Sequence, residues 1–267
     1  PWTIIEATDK DYAAVKIISA VRSRLQYELD KRTQNQPIKK EEIPTASGQF
    51  QLGALSGVDL EKSMDRETYK EKMDKLQKRL EFLHSEIYRL QIPVVLGGKG
   101  GAIKRLTSHL DPRGYAVHPT QAPNDIEKAH HYLWRFWINM PKNGHIAIFD
   151  RTWYGRVMVE RIEGFCQEEE WKRAYQEINQ MERHIANSGA VILKFWMHID
   201  KEEQKRRFLE RQNTPSKQWK ITDEDWRNRE KWEQYEVAVN EMLLRTSTTY
   251  APWIIVEGNN KYFARVK

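Results

Sequence analysis

The sequence predicts an α/β fold built on a parallel sheet with helices on both faces. Three observations carry this. Short runs that are apolar throughout alternate with segments of helical periodicity, the pattern of strands buried on both faces. One such run, Val94-Val95-Leu96, passes into Gly97-Gly98-Lys99-Gly100-Gly101 and then into a helix-like Ala102-Ile103-Lys104-Arg105. Another, Ile146-Ala147-Ile148-Phe149, ends in Asp150.

Composition bounds the possibilities. At 267 residues the chain is one large domain or two small ones. Hydrophobic residues make up 39% of it, with ten Trp, which argues for a buried core and against disorder. Lys plus Arg is 44 against 38 acidic residues, a net charge of +6 that suits an anionic partner. The excess is too small to choose by itself among phosphate chains, nucleotides and nucleic acid. The single cysteine, Cys166, excludes an internal disulfide and fits a reducing, cytoplasmic compartment. No apolar run approaches the length of a bilayer span and no signal peptide is visible, so no membrane partner is expected.

The two ends of the chain repeat each other. Residues 1–16 and 252–267, aligned without gaps, share eight identities: Pro1, Trp2, Ile4, Glu6, Lys10, Ala13, Val15 and Lys16 match Pro252, Trp253, Ile255, Glu257, Lys261, Ala264, Val266 and Lys267. The repeat, with a start at Pro1, makes residues 1–32 the expected C-terminal tail of a preceding, related unit. Residues 33–58 are polar, with Pro37, Pro44, Gly48, Gly53 and Gly57, and read as a linker. The main domain is expected over 59–267.

In order, residues 2–6 read as a strand. Thr8 or Asp9 caps a helix whose apolar stripe is Ile18, Val21, Leu25 and Leu29. A second helix starts near Arg66; Tyr69, Met73, Leu76, Leu80, Leu83, Ile87 and Leu90 recur at alternating spacings of four and three. After the strand 94–96 and its glycine loop, a helix runs to about Leu110, followed by the turn Asp111-Pro112-Arg113-Gly114 and a strand over 115–118. Asn124 or Asp125 caps a helix to Met140. A strand covers 145–149, a long helix 168–188 closed by Gly189, and a strand 190–199. Residues 201–245 are dense in charge and Trp and read as a basic helical lid.

The chemistry sits in two stretches. Glycines let backbone N–H groups approach an oxyanion, the start of the next helix adds positive charge, and Lys99 reaches a phosphate as a point charge. A carboxylate at the end of a neighbouring strand, Asp150, can hold Mg²⁺ on phosphate oxygens, and Arg151 offers a fork to phosphate. The glycine stretch falls short of the full phosphate-loop pattern, since Pro93 occupies the position of its first glycine and Gly100 that of its Ser or Thr.

At these residues the chain resembles the family-2 polyphosphate kinases. Phe149-Asp150-Arg151-Thr152-Trp153-Tyr154-Gly155-Arg156 matches the family's Phe-Asp-Arg-Ser/Thr-Trp-Tyr-x-Arg signature. Gly98-Lys99-Gly100-Gly101-x-Ile103-Lys104-Arg105 matches another family block. Asp111-Pro112-Arg113-Gly114, Leu193-Lys194-Phe195-Trp196, Trp219-Lys220 and Ala251-Pro252-Trp253 match further ones. His130-His131-Tyr132-Leu133-Trp134-Arg135-Phe136-Trp137 is similar to the branch that phosphorylates AMP, in which two kinase units are often fused.

The resemblance implies a P-loop kinase-like three-layer sandwich, with a five-stranded parallel sheet, helices on both faces and a helical lid over about 201–245. It implies transfer of the terminal phosphoryl group of inorganic polyphosphate to AMP, giving ADP, with Mg²⁺. Lys99, Asp150 and Arg151 would be catalytic, with Asp150 the metal ligand. Gly98, Gly100, Gly101, Lys104, Arg105, Arg207, Arg211, Lys217 and Lys220 would hold polyphosphate, and Arg135 and Arg156 the nucleotide. A homo-oligomer or fused pseudo-dimer is expected, without nucleic acid. An ATP-dependent nucleoside monophosphate kinase and a non-enzymatic polyanion-binding module remain the alternatives. One departure matters. The family pattern is Glu-Gly-x-Asp-Ala-Ala-Gly-Lys-Gly-Gly, whereas here Leu96 runs directly into Gly97-Gly98-Lys99, without the acids. The expectation is that the sequence closes over missing residues, with a chain interruption between Leu96 and Gly98 and others in the linker.

Overall fold

The computed structural model describes residues 4, 8–33, 53–98 and 100–267. Two units, 1–48 and 49–267, make up the chain. In the first, Lys10–Thr33 forms one long helix, α1, entered through Asp9, whose Oδ1 accepts from the backbone N–H groups of Asp11 and Tyr12 at 2.9 and 3.0 Å. Its stripe residues Ile18, Val21, Leu25 and Leu29 are exposed. The expected strand over 2–6 lies almost wholly outside the described residues, as do residues 34–52 of the linker.

The second unit is a five-stranded, wholly parallel sheet in the order β2-β3-β1-β4-β5, with β1 Val94–Gly98, β2 Tyr115–Pro119, β3 Ile146–Asp150, β4 Val191–His198 and β5 Trp253–Glu257. Side chains alternate across the pleat. Val95, Ala147, Phe149 and Ile192 point to one face, under α7 (Glu168–Asn187) and α10 (Trp232–Thr246). Val94, Leu96, Ile146 and Ile148 point to the other, beneath Leu80 and Ile87 of α2 (Arg66–Arg89) and Ile103 of α3 (Gly100–Leu106). The remaining helices are α4 (Asp125–Lys128), α5 (Trp134–Trp137), α6 (Val159–Glu163), α8 (Lys201–Gln212), α9 (Asp223–Glu230) and α11 (Lys261–Val266).

Several expectations are corrected. The strand expected to end at Leu96 runs on through Gly97 and Gly98, opposite Phe149 and Asp150. The helix expected over 124–140 is two short ones. The Asn124–Glu127 capping box starts α4, and the aromatic run that follows, poor in strong helix formers, breaks between Ala129 and Leu133 before re-forming one turn. The helix after the glycines ends at Leu106 rather than Leu110 and tightens into a 3₁₀ turn. In the lid, the second half of α10 belongs to the core: Ala238, Val239, Met242 and Leu243 are buried against α7 and the sheet. At the end of the expected linker, Leu55 is buried in the same core and its N–H donates to Asn240 Oδ1 at 3.2 Å, so residues 53–58 belong to the second unit.

The turn Asp111-Pro112-Arg113-Gly114 is structural. Asp111 caps it and pairs with Arg113 at 2.7 Å, and a Cβ on Gly114 would lie 2.2 Å from buried His84 Nε2 of α2. Only glycine fits beneath that imidazole.

Candidate phosphate-binding site

The strand order reverses at β1: the chain leaves β1 across β3 to reach β2 on one side, and β4 lies against β1 on the other. In open parallel sheets the crevice at the carboxyl ends of such strands is where ligands bind. Two predicted features meet there. Gly98 ends β1 in register with Asp150, which ends β3. The helix α3 begins at Gly100, and a Cβ on Gly100 would stand 3.7 Å from Asp150 Oδ2. Asp150 thus lies against the first turn of α3. Its main-chain oxygen accepts from Thr120 N–H at 3.0 Å, while its half-buried carboxylate has no partner among the described residues. Lys99 lies outside the described residues.

Arg151 is exposed and left-handed, with φ 69°. A non-glycine residue there costs about 1–2 kcal/mol, a strain that persists only where the surroundings impose it. Those surroundings are visible on the C-terminal side. Thr152 Oγ1 caps the following 3₁₀ turn, 153–157, accepting from Tyr154 N–H at 3.4 Å. The Thr152 methyl lies where a Cβ on Gly97 would be 2.9 Å away. Gly97 therefore makes room for the residue after Arg151. Gly98 admits α3, since its Cβ would meet Ile103 Cγ1 at 3.1 Å. Around Gly101 no atom of the described residues lies within 4 Å of a Cβ placed there.

Trp153 and Tyr154 turn inward to a buried charge network. Glu182 Oε1 on α7 accepts from Trp153 Nε1 at 3.1 Å and from Tyr154 Oη at 2.6 Å. Lys194 Nζ on β4 donates to Glu182 Oε2 at 2.8 Å, Tyr154 Oη at 2.8 Å and Thr246 O at 2.7 Å, which uses all three of its donors. Trp253 Nε1 donates to Thr246 Oγ1 at 2.8 Å. Burial pushes the Glu182 carboxyl up and the Lys194 ammonium down, each opposed by the other's charge. Three matched motif blocks, around Phe149, Lys194 and Trp253, thus converge on one structural knot.

Arg135 and Arg156 meet around Glu160 of α6. Arg156 Nε lies 3.1 Å from Glu160 Oε2, and its guanidinium covers the Tyr132 ring at 4.4 Å. Arg135 pairs with Glu127 at 3.3 Å and donates to Gln121 O at 2.9 Å. Burial raises the Glu160 pKa, with Arg156 and Arg135 opposing. Burial and the Glu177 carboxylate push the Tyr132 phenol up.

The predicted polyphosphate cations fall into two groups. Lys104 and Arg105 are exposed in the last turn of α3, and Arg211 and Lys220 touch only rings, those of Phe208 and Trp219 at 5.8 and 4.9 Å. None of these four has an acidic partner among the described residues. Arg207 is tied to Glu203 at 2.6 Å and to Gly258 O at 2.5 Å, and Lys217 to Glu210 at 2.8 Å. The Lys217 bond holds the Glu210 carboxyl at about 2.

Among the described residues, no group of three or more His, Cys, Asp or Glu is placed to hold a metal. A single unclaimed carboxylate still fits Mg²⁺, which takes one or two carboxylates and completes its shell with water and substrate phosphates. Sequence reasoning missed Thr152, Tyr132, Glu160, Glu182 and Lys194 as site or supporting residues. One signal was present: a lysine inside an apolar strand needs a buried acid.

Residues 63–267 match the family model described as polyphosphate kinase 2. A polyphosphate:AMP phosphotransferase from Pseudomonas aeruginosa is 45% identical over 276 residues, covering 100% of this chain and 55% of the relative. A protein of the same name from Pseudomonas syringae pv. tomato is 42% identical, with 100% and 55% covered. The chain thus spans about half the length of these relatives. A crystal structure of polyphosphate kinase 2 from Arthrobacter aurescens superposes with a TM-score of 0.76 at 31% identity, covering 80% of this chain and 81% of that one. No helix among the described residues is long and apolar enough to cross a membrane.

Proposed function

This chain belongs to the polyphosphate kinase 2 family, and on that premise we propose that it transfers the terminal phosphoryl group of inorganic polyphosphate to AMP. The observation that carries the reading is the meeting of Gly98, the start of α3 and the unclaimed Asp150 carboxylate at the ends of two adjacent parallel strands. An oxygen of the AMP phosphate forms a new P–O bond to the terminal phosphorus. The bridging P–O bond of the chain breaks, and the shortened polyphosphate leaves with its electron pair. ADP is the product.

Such a reaction needs positioning and charge neutralisation more than covalent chemistry. Asp150 would hold Mg²⁺, which when bound neutralises phosphate oxygens. Lys99 and the N–H groups of Gly98, Gly100 and Gly101 would hold the transferring phosphate, with Arg151 as a fork beside it. Lys104, Arg105, Arg211 and Lys220 suit a track for a linear polyanion, because no acid among the described residues neutralises their charges. Arg207 and Lys217 would join it by exchanging Glu203 and Glu210 for phosphate. Arg135 and Arg156, with the Tyr132 face, would hold the nucleotide. We further propose a cytoplasmic protein, active as a homo-oligomer or fused pseudo-dimer, with residues 1–32 the tail of a preceding unit.

A polyanion-binding module without transfer is the second reading. Lys99 alone separates β1 from α3, which leaves little backbone to wrap a phosphate. The test is ADP formation from AMP with polyphosphate as the sole donor. Formation abolished by EDTA supports the kinase; polyphosphate binding that survives EDTA, with no ADP formed, supports the module; transfer from ATP alone replaces both with an ordinary nucleotide kinase.

A further inference from the structure

We propose that the buried Glu182–Lys194 pair is a positioning device for the Asp150–Arg151 turn, acting through Trp153 and Tyr154. The proposal rests on the phosphotransferase reading above. Buried ion pairs are a weak source of stability, because desolvating both charges offsets most of their attraction. This pair, with side-chain exposures of 0% for Glu182 and 3% for Lys194, is fully inside. What it supplies is geometry. One oxygen, Glu182 Oε1, receives hydrogen bonds from two consecutive residues, Trp153 and Tyr154. Lys194 fixes the other carboxylate oxygen, and it also reaches Tyr154 Oη and the carbonyl of Thr246. The carboxylate therefore cannot turn without breaking bonds to η-hydroxyl, indole and ammonium together.

The residues so clamped follow Arg151 by two and three positions. On the other side, β3 is fixed by its ladders: Asp150 stands opposite Gly98 on β1 and Pro119 on β2. Between these two anchors lie only Arg151, held left-handed, and Thr152, wedged at Gly97. The backbone from which the Asp150 carboxylate and the Arg151 side chain project is thus fixed from both ends. The network forms the C-terminal anchor, and it joins α7, β4 and α10 to the phosphate-facing turn.

Packing of Trp153 against Phe136 and Phe149 could hold the turn without the network. Variants that keep volume and remove hydrogen bonds separate the two. Tyr154→Phe removes the hydroxyl that bridges Glu182 and Lys194. Glu182→Gln keeps an oxygen for the two donors while weakening the grip of Lys194, and it carries the same comparison if Tyr154→Phe does not fold. Each is compared with wild type in the full chain by thermal midpoint, by kcat and KM for AMP, and by affinity for preformed Mn²⁺–tripolyphosphate read from water proton relaxation. The expected result for Tyr154→Phe is a kcat at least tenfold lower, a KM for AMP within twofold, and Mn²⁺–tripolyphosphate binding at least fivefold weaker in a folded protein. A lowered thermal midpoint with kcat and Mn²⁺–tripolyphosphate affinity both within twofold of wild type would overturn the proposal. If wild type forms no ADP, the phosphotransferase reading fails and the Mn²⁺–tripolyphosphate comparison decides the positioning role alone. A wild type that binds no Mn²⁺–tripolyphosphate overturns both.

Discussion

Gly97→Ala is expected to destabilise the protein, although Gly97 lies in a strand with no left-handed backbone. The added Cβ would stand 2.9 Å from Thr152 Cγ2, closer than real Cβ contacts come. Thr152 cannot step aside freely, because its hydroxyl caps the 153–157 turn and its neighbour Arg151 is already strained. Overpacking of this kind costs about 1–3 kcal/mol. For a domain of this size that is a thermal midpoint lower by roughly 2–12 °C. Thr152→Ser removes the offending methyl and keeps the capping oxygen, so the double variant should recover most of the loss. Gly101→Ala is the control. Among the described residues nothing stands within 4 Å of its Cβ, and its place in the first turn of α3 makes the change neutral or stabilising, by up to about 1 kcal/mol. The assay is a thermal melt of the four variants beside wild type. A Gly97→Ala protein as stable as wild type, or a Thr152→Ser partner that restores nothing, would refute the clash. A Gly101→Ala protein that is stable but slower in phosphoryl transfer would assign that glycine to the phosphate rather than to the fold.

Asp150→Asn should abolish Mg²⁺-dependent ADP formation with circular dichroism unchanged, since the carboxylate has no partner to lose among the described residues; residual metal-dependent turnover near wild type would remove it from the metal site. Lys99→Ala is expected to slow transfer by on the order of a hundredfold, the scale of a lost transition-state contact, measured in the same assay. Lys220→Glu should weaken polyphosphate binding and flatten its dependence on salt while changing KM for AMP less; equal losses for both ligands would take Lys220 off the polyanion track. Burial lowers the pKa of His118, which lies tilted against Phe149, so the folded state binds its proton less readily than the unfolded state. Its contribution to stability is whole above the ordinary histidine value of 6.5 and is lost as pH falls through 6.5 toward the lower folded value. His118→Phe should therefore reduce the fall in thermal midpoint between pH 8 and about pH 5.5; an unchanged slope would count against it.

Local chemistry in the sequence determined much of this. Short apolar runs bounded by turn residues read as strands, and the four given bounds in the second unit, 94–96, 115–118, 145–149 and 190–199, are present, parallel and within a residue or two of those bounds, with Trp253–Glu257 as the fifth. The pairing of a glycine-ended strand with an acid-ended one was legible because both signals are short and contiguous. Which glycine does what was not legible. Gly97, Gly98, Gly100 and Gly101 look alike in the chain, and only the neighbours brought by folding separate them: Thr152 for Gly97, Ile103 for Gly98, Asp150 for Gly100 and none among the described residues for Gly101. The same holds for charge. Arg207 and Arg211 are four residues apart on α8, yet one is spent on Glu203 and the loop after β5 while the other has no acidic partner among the described residues. Most of all, Tyr154, Glu182, Lys194 and Thr246 lie far apart in sequence and on different elements. Their meeting depends on the crossover of β4 past β1 and the packing of α7 and α10 on one face. A buried ammonium is tolerable only where three acceptors converge on it, and tertiary structure alone supplies that convergence.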